Sequence, residues 1–181
     1  MRNAPALGYF GHMWELYAFW VLVPLIVATR LPAPQVAAAS FAVIGAGFVG
    51  CAVGGLLVRR FGSAMVAAVQ LAASGLCCVL APLLLDAPLW LFAAWLLTWG
   101  VTVVGDSPQF STLTALNSPR DSVGSVLTFV NCIGFAITIV SIELFTRALQ
   151  HAPPAMVLPW LAIGPALGLR ALSPLLGRAG G

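Results

Sequence analysis

Six long apolar runs dominate the chain, separated by short clusters of proline, glycine and charged residues. They predict helices over residues 8–28, 37–58, 64–85, 88–116, 122–146 and 154–174. Each has about 20 residues or more, and at about 1.5 Å per residue that crosses a hydrocarbon core of ~30 Å. The separators Thr29-Arg-Leu-Pro-Ala-Pro34, Arg59-Arg-Phe-Gly-Ser63, Asp86-Ala-Pro88, Asn117-Ser-Pro-Arg-Asp121 and Gln150-His-Ala-Pro-Pro154 hold the residues that end one helix and begin the next. The expected fold is all-α, a single polytopic membrane domain of six transmembrane helices over residues 1–181.

Composition agrees with that reading. Of 181 residues, 61% are hydrophobic and 7% charged, against about 25% charged in soluble domains. A water-soluble globule could not be clothed with so little polar surface. All eight basic residues are arginine. A net charge of +3, scattered along the chain, excludes a nucleic-acid-binding face. The first run is too long for a signal peptide and lacks a small-residue cleavage site, so it is expected to remain as the first span.

The arginines instead set orientation. Six spans place both termini on one side, which then holds Arg2, Arg59, Arg60, Arg120, Arg170 and Arg178, while Arg30 and Arg147 lie opposite. By the positive-inside rule the richer side is cytoplasmic.

Against this apolar background a few polar residues stand out. Glu15 lies inside the first run and Asp106 inside the fourth. A carboxylate at membrane depth costs on the order of 2.5–3.5 kcal/mol on insertion scales, so chains that keep one face it toward a bundle interior or a wet cavity. His12 and Glu15 are three apart and share a helix face. Glu15 is a candidate for carrying a coupling proton or meeting a cationic group, with His12 tuning it. The plainer alternative is a neutral glutamate hydrogen-bonded to a neighbouring helix. Pro108 in Asp106-Ser-Pro-Gln109 is expected to kink the fourth span or gate it, with Asp106 or Ser107 capping the second half-helix. Gln109 and Ser111 would line adjacent parts of that face. Thr128, Asn131 and Thr138 form a polar stripe on the fifth span, explained by solute contact or by interhelical bonds.

Other features read as structural. Ala46, Gly50 and Gly54, spaced by four, suit close helix packing. Ser118-Pro-Arg-Asp121 fits a capping box with Pro119 at the first helical position. Cys51, Cys77, Cys78 and Cys132 are expected to be small buried hydrophobes without metal spacing, Cys77 and Cys78 facing different sides. Trp14, Tyr17, Phe19 and Trp20 suit packing better than stacking on a solute. Glu143 and Arg147 suit a surface ion pair.

Gly8-Tyr-Phe-Gly-His-Met-Trp-Glu-Leu-Tyr-Ala-Phe-Trp20 and Gly105-Asp-Ser-Pro-Gln-Phe-Ser-Thr-Leu113, with Gly124-Ser-Val-Leu-Thr128 and Asn131-Cys-Ile-Gly-Phe-Ala-Ile-Thr138, resemble the major facilitator superfamily of secondary transporters. The resemblance covers nearly the whole chain and is to the C-terminal six helices of bacterial members. Gly55-Leu-Leu-Val-Arg-Arg-Phe-Gly62 resembles the short cytoplasmic loop of that superfamily, built here on Gly55, Arg59, Arg60 and Gly62. Arg59 stands where the pattern has an acid.

What the resemblance implies is a carrier in the bacterial inner membrane, moving a small solute by alternating access, with proton coupling left open. His12, Glu15, Asp106, Gln109 and Asn131 would line the pathway. Such carriers have two six-helix halves with solute bound between them. The chain is therefore expected to be a fragment, or to pair with a second half or another copy. Alone, it would turn its polar face toward lipid and leave Glu15 and Asp106 without an aqueous lining. A non-transporting assembly subunit or vestigial half is the alternative. No Gly-x-Ser-x-Gly elbow or HExxH pair points to an enzyme, and no cofactor or metal is expected.

Overall fold

The computed structural model describes residues 3–177, which are all-helical without a strand. Arg2 and Arg178 of the orientation argument lie outside the described residues. Six helices are long and apolar enough to cross a membrane: α1 (Ala4–Ala28), α2 (Ala33–Phe61), α3 (Ser63–Leu84), α4 (Leu89–Leu116), α5 (Arg120–His151) and α6 (Pro154–Leu176). α3 and α4 agree with the expected spans to within one residue, whereas α1, α2, α5 and α6 overrun theirs where helix continues into the flanks.

The overrun corrects the expected loop after the second span. Gly55, Arg59 and Arg60 are helical, the arginines in the last turn of α2, and Gly62 alone links α2 to α3. Cations in a last turn complement the partial negative charge of the helix terminus, so the arginines favour continued helix. Gly62 has φ +78°, a conformation open to glycine at little cost. A second correction concerns Pro119, which is extended at φ −60° and ψ 137°, ahead of a 3-10 turn over Arg120–Ser122. The Ser118 hydroxyl donates backward to the Thr114 carbonyl at 2.7 Å, closing α4 rather than opening α5.

The packing has an internal repeat. α1 packs on α5 and α6, α4 packs on α2 and α3, and α3 packs on α6. Exchanging α1 with α4, α2 with α5 and α3 with α6 reproduces this set of neighbours. The members of each pair are three places apart in chain order, so exchanged helices run in opposite directions. α1 is the most buried span, and α2 and α5 are the least.

Small residues permit the closest approaches. A Cβ on Gly50 would collide with the Val101 carbonyl of α4, and one on Gly11 with the Gly164 carbonyl of α6. Without hydrophobic drive between helices in lipid, such contacts supply much of the association through dispersion. This matches the packing role read from Ala46, Gly50 and Gly54. At the end of the bundle opposite the termini, the Arg30 guanidinium donates to the Leu85 and Ala87 carbonyls. It also lies 5.3 Å from the centroid of Phe92. Arg30 thus holds the terminus of α3, where unpaired carbonyls accumulate.

Candidate functional site

α1 crosses α4 at the centre of the bundle, and α3 backs the crossing. Polar side chains gather there. Glu15 is fully buried and its carboxyl is met by donors from two other spans. Ser74 Oγ donates to Oε2 at 2.9 Å, Cys78 Sγ to Oε1 at 3.2 Å, and Trp99 Nε1 to Oε1 at 2.7 Å. Ser74 and Cys78 are four apart on α3 and share a face. Trp99 is wedged against Phe19 and Trp95, with centroids at 4.5 Å and 5.4 Å.

This ring accommodates either protonation state of Glu15 without moving a heavy atom. As a carboxylate, Glu15 accepts from all three donors. As a carboxylic acid, it donates from Oε2 to Ser74 Oγ, whose own hydrogen turns to the Leu71 carbonyl 3.1 Å away. The Cys78 thiol has a similar second acceptor, the Ser74 carbonyl at 3.4 Å.

One turn earlier on α1, His12 does not meet Glu15. Its Nδ1 lies 2.9 Å from Oδ1 of Asp106 on α4, with both side chains almost wholly buried. The approach is off the hydrogen-bond axis. Both Asp106 oxygens and the His12 Nε2 are left without a hydrogen-bond partner. The imidazole forms a three-ring cluster with Tyr9 and Phe110, each with its centroid 5.8 Å away. A buried unpaired polar group costs about 1–3 kcal/mol, more if charged, so three in one contact call for a reason.

The fourth span is hitched rather than broken at this point. Asp106 keeps helical angles, φ −80° and ψ −19°, and its side chain does not cap the following segment. Pro108 has no N–H to offer the Val104 carbonyl. That carbonyl accepts the Asp106 N–H instead, and Cys51 Sγ approaches it from α2 at 3.7 Å. Pro108 itself is exposed and outside the polar cluster.

Of the expected pathway residues, His12, Glu15, Asp106 and Gln109 are buried within the bundle. Asn131 is exposed on α5 and does not join them, nor does Thr128. Thr138, from the same stripe, is buried and donates to the Met13 carbonyl at 3.1 Å. The stripe divides because Thr138 falls on the inward face of α5 with Val130, Gly134 and Ser141, whereas Thr128 and Asn131 fall outside it. Neither carboxyl reaches the surface, so both acids are enclosed within the bundle rather than facing outward. α3 and α4 supply the donors around Glu15, and His12 of α1 lies against Asp106.

Ser74, Cys78 and Trp99 were not anticipated as partners. The available signals were a serine and a cysteine at helical spacing in α3, and a tryptophan midway along a span. Tryptophan favours the membrane interfaces, and a buried indole N–H needs an acceptor. Trp95 obeys the same rule, donating to the Cys77 carbonyl at 3.0 Å. Cys77 and Cys78 thus serve different neighbours, as their adjacency implied, whereas Cys132 is exposed.

The bundle also has a large apolar groove of about 760 Å³, floored by α1 and walled by α5 and α6. None of the polar cluster lines it. No known protein-family model matches the chain, and no curated protein sequence matches it.

Proposed function

We propose that the chain is one six-helix half of a secondary transporter of major facilitator type, and that the His12–Asp106 contact beside Glu15 exchanges a coupling proton. The carrying observation is the set of unpartnered atoms on Asp106 and His12, buried where the two central helices cross. Intramembrane acids and histidines in such positions form the proton relays of pumps and transporters. A proton gained or lost there changes the attraction between α1 and α4 directly. Glu15, held by three donors, anchors the other side of the crossing.

Two further features support the reading. Carriers of this type nest inverted three-helix repeats inside each half, and the exchange of α1–α3 with α4–α6 has that form. The outward face of α4 also carries Thr98, Ser111 and Thr112, and α5 carries Asn131, at membrane depth. The three hydroxyls donate to carbonyls one turn back in their own helix, at 2.8 Å, 3.3 Å and 2.9 Å. Polar groups facing outward at that depth suit a second half more than lipid. The cytoplasmic placement of the termini follows from the arginine distribution.

Proteoliposomes containing a pH-sensitive dye, made from the chain with whatever co-purifies in mild detergent, test the proposal against a panel of sugars, amino acids and organic cations. Solute-dependent proton movement that Asp106→Asn abolishes supports it. Equal movement by that variant removes Asp106 from the coupling role, and none with any solute rejects transport.

A non-transporting membrane assembly subunit is the second reading. It is favoured by the complete internal satisfaction of Glu15 and by the absence of the acid cluster from the 760 Å³ groove. A stoichiometric partner retained through purification, with no proton or solute movement, would decide for it.

A further inference from the structure

The groove between α5 and α6 lies apart from the buried acids and does not depend on any transport role. Its floor is Leu7, Phe10, Gly11 and Trp14 of α1, and its α6 wall runs from Ile163 to Ala171. The α5 wall, from Ile133 to Val140, is aliphatic throughout. α5 and α6 do not meet along this stretch, and pack together only at the start of α6. The groove therefore opens sideways into the hydrocarbon. A polar solute has nothing to bind there, because the only side-chain polar atom in the lining, Trp14 Nε1, is sealed from the surface.

Length and charge narrow the choice. From Leu7 to Trp14 the floor rises about 10 Å at 1.5 Å per residue, within one leaflet's share of a ~30 Å core. The groove thus begins near the membrane surface on the side of the termini and ends near the midplane. At its surface end, Arg170 precedes the lining residue Ala171 and follows Leu167 by three, which puts it on the groove's rim. Arg170 is exposed and has no acidic partner among the described residues.

We infer that this groove holds one acyl chain of an anionic phospholipid from the leaflet on the side of the termini, with its phosphate-bearing headgroup at Arg170. Basic residues at the leaflet surface recognise such headgroups, and the aliphatic walls accept the chain by apolar contact alone. Small residues keep the floor open: Gly11 and Gly164 meet backbone to backbone beneath it.

Native mass spectrometry of the purified chain with phosphatidylglycerol or phosphatidylcholine of identical chains tests the assignment. Wild type is expected to retain one phosphatidylglycerol with about fivefold preference over phosphatidylcholine, the share one basic residue contributes. Arg170→Gln should erase the preference while one lipid still binds. Ala136→Trp, whose new ring would fill the groove from an exposed position, should remove the retained lipid, with Ala171→Phe as a second filling variant. Equal retention of both lipids by wild type, a preference that survives Arg170→Gln, or undiminished binding by both filling variants would overturn it. So would a polypeptide found crosslinked across the groove in place of lipid.

Discussion

Glu15 and Asp106 are equally buried, yet the protein treats them differently. Three side chains from α3 and α4 close around Glu15. The Asp106 carboxyl lies 2.9 Å from His12, and neither of its oxygens has a side-chain donor in hydrogen-bonding alignment. The difference teaches that burial by itself does not fix how a carboxyl is held. What matters is which hydrogen-bonding capacity remains once the helices have packed. A carboxyl with donors on both oxygens is held in place in either protonation state, whereas one with open acceptors gains from any proton or donor that reaches it.

Stability and function should therefore separate across the two acids. Glu15→Leu removes three hydrogen bonds and strands the Trp99 indole in an apolar interior, while the Ser74 hydroxyl and the Cys78 thiol turn to the Leu71 and Ser74 carbonyls. It is expected to destabilise the bundle by about 3 kcal/mol or more, read as a fall in unfolding midpoint in detergent micelles. Asp106→Leu removes two oxygens that lack a hydrogen-bond partner, so stability in the same assay is expected to change by less than about 1 kcal/mol. Equal losses would erase the distinction.

Single donors sharpen the comparison. Trp99→Phe keeps an aromatic ring against Phe19 but deletes the 2.7 Å bond to Glu15, for an expected loss of about 1–3 kcal/mol. Ser74→Ala should lose about 1 kcal/mol, since Trp99 and Cys78 still serve the carboxyl. The exposed Glu143–Arg147 pair on α5 provides the zero point. Arg147→Gln should leave the unfolding midpoint unchanged, as screened surface pairs contribute little.

The pairings explain why the acids were visible in the chain and their partners were not. A carboxylate inside an apolar run is conspicuous anywhere, so Glu15 and Asp106 stood out by type alone. His12 seemed to belong with Glu15 because three-residue spacing is a statement about one helix. Its contact with Asp106 depends on how α1 crosses α4, which no local spacing encodes. Asn131 and Thr138 belong to one polar stripe of α5, yet one is exposed and the other buried. Their separation reflects which face of α5 turns inward.

Local chemistry therefore decides as far as one helix extends. The number of spans, their approximate limits, the glycine-rich packing face of α2 and the presence of two intramembrane acids all follow from residue type and order. Hydrophobic length and hydrogen-bonding cost act on each segment separately, and those can be read along a line. The enclosure of both acids, the ring around Glu15, the unsatisfied His12–Asp106 contact and the lipid-facing groove arise from relations between helices distant in the chain. Those relations are set by side-chain volume and by small-residue contacts such as Gly50 on Val101, and they exist once the whole bundle has assembled.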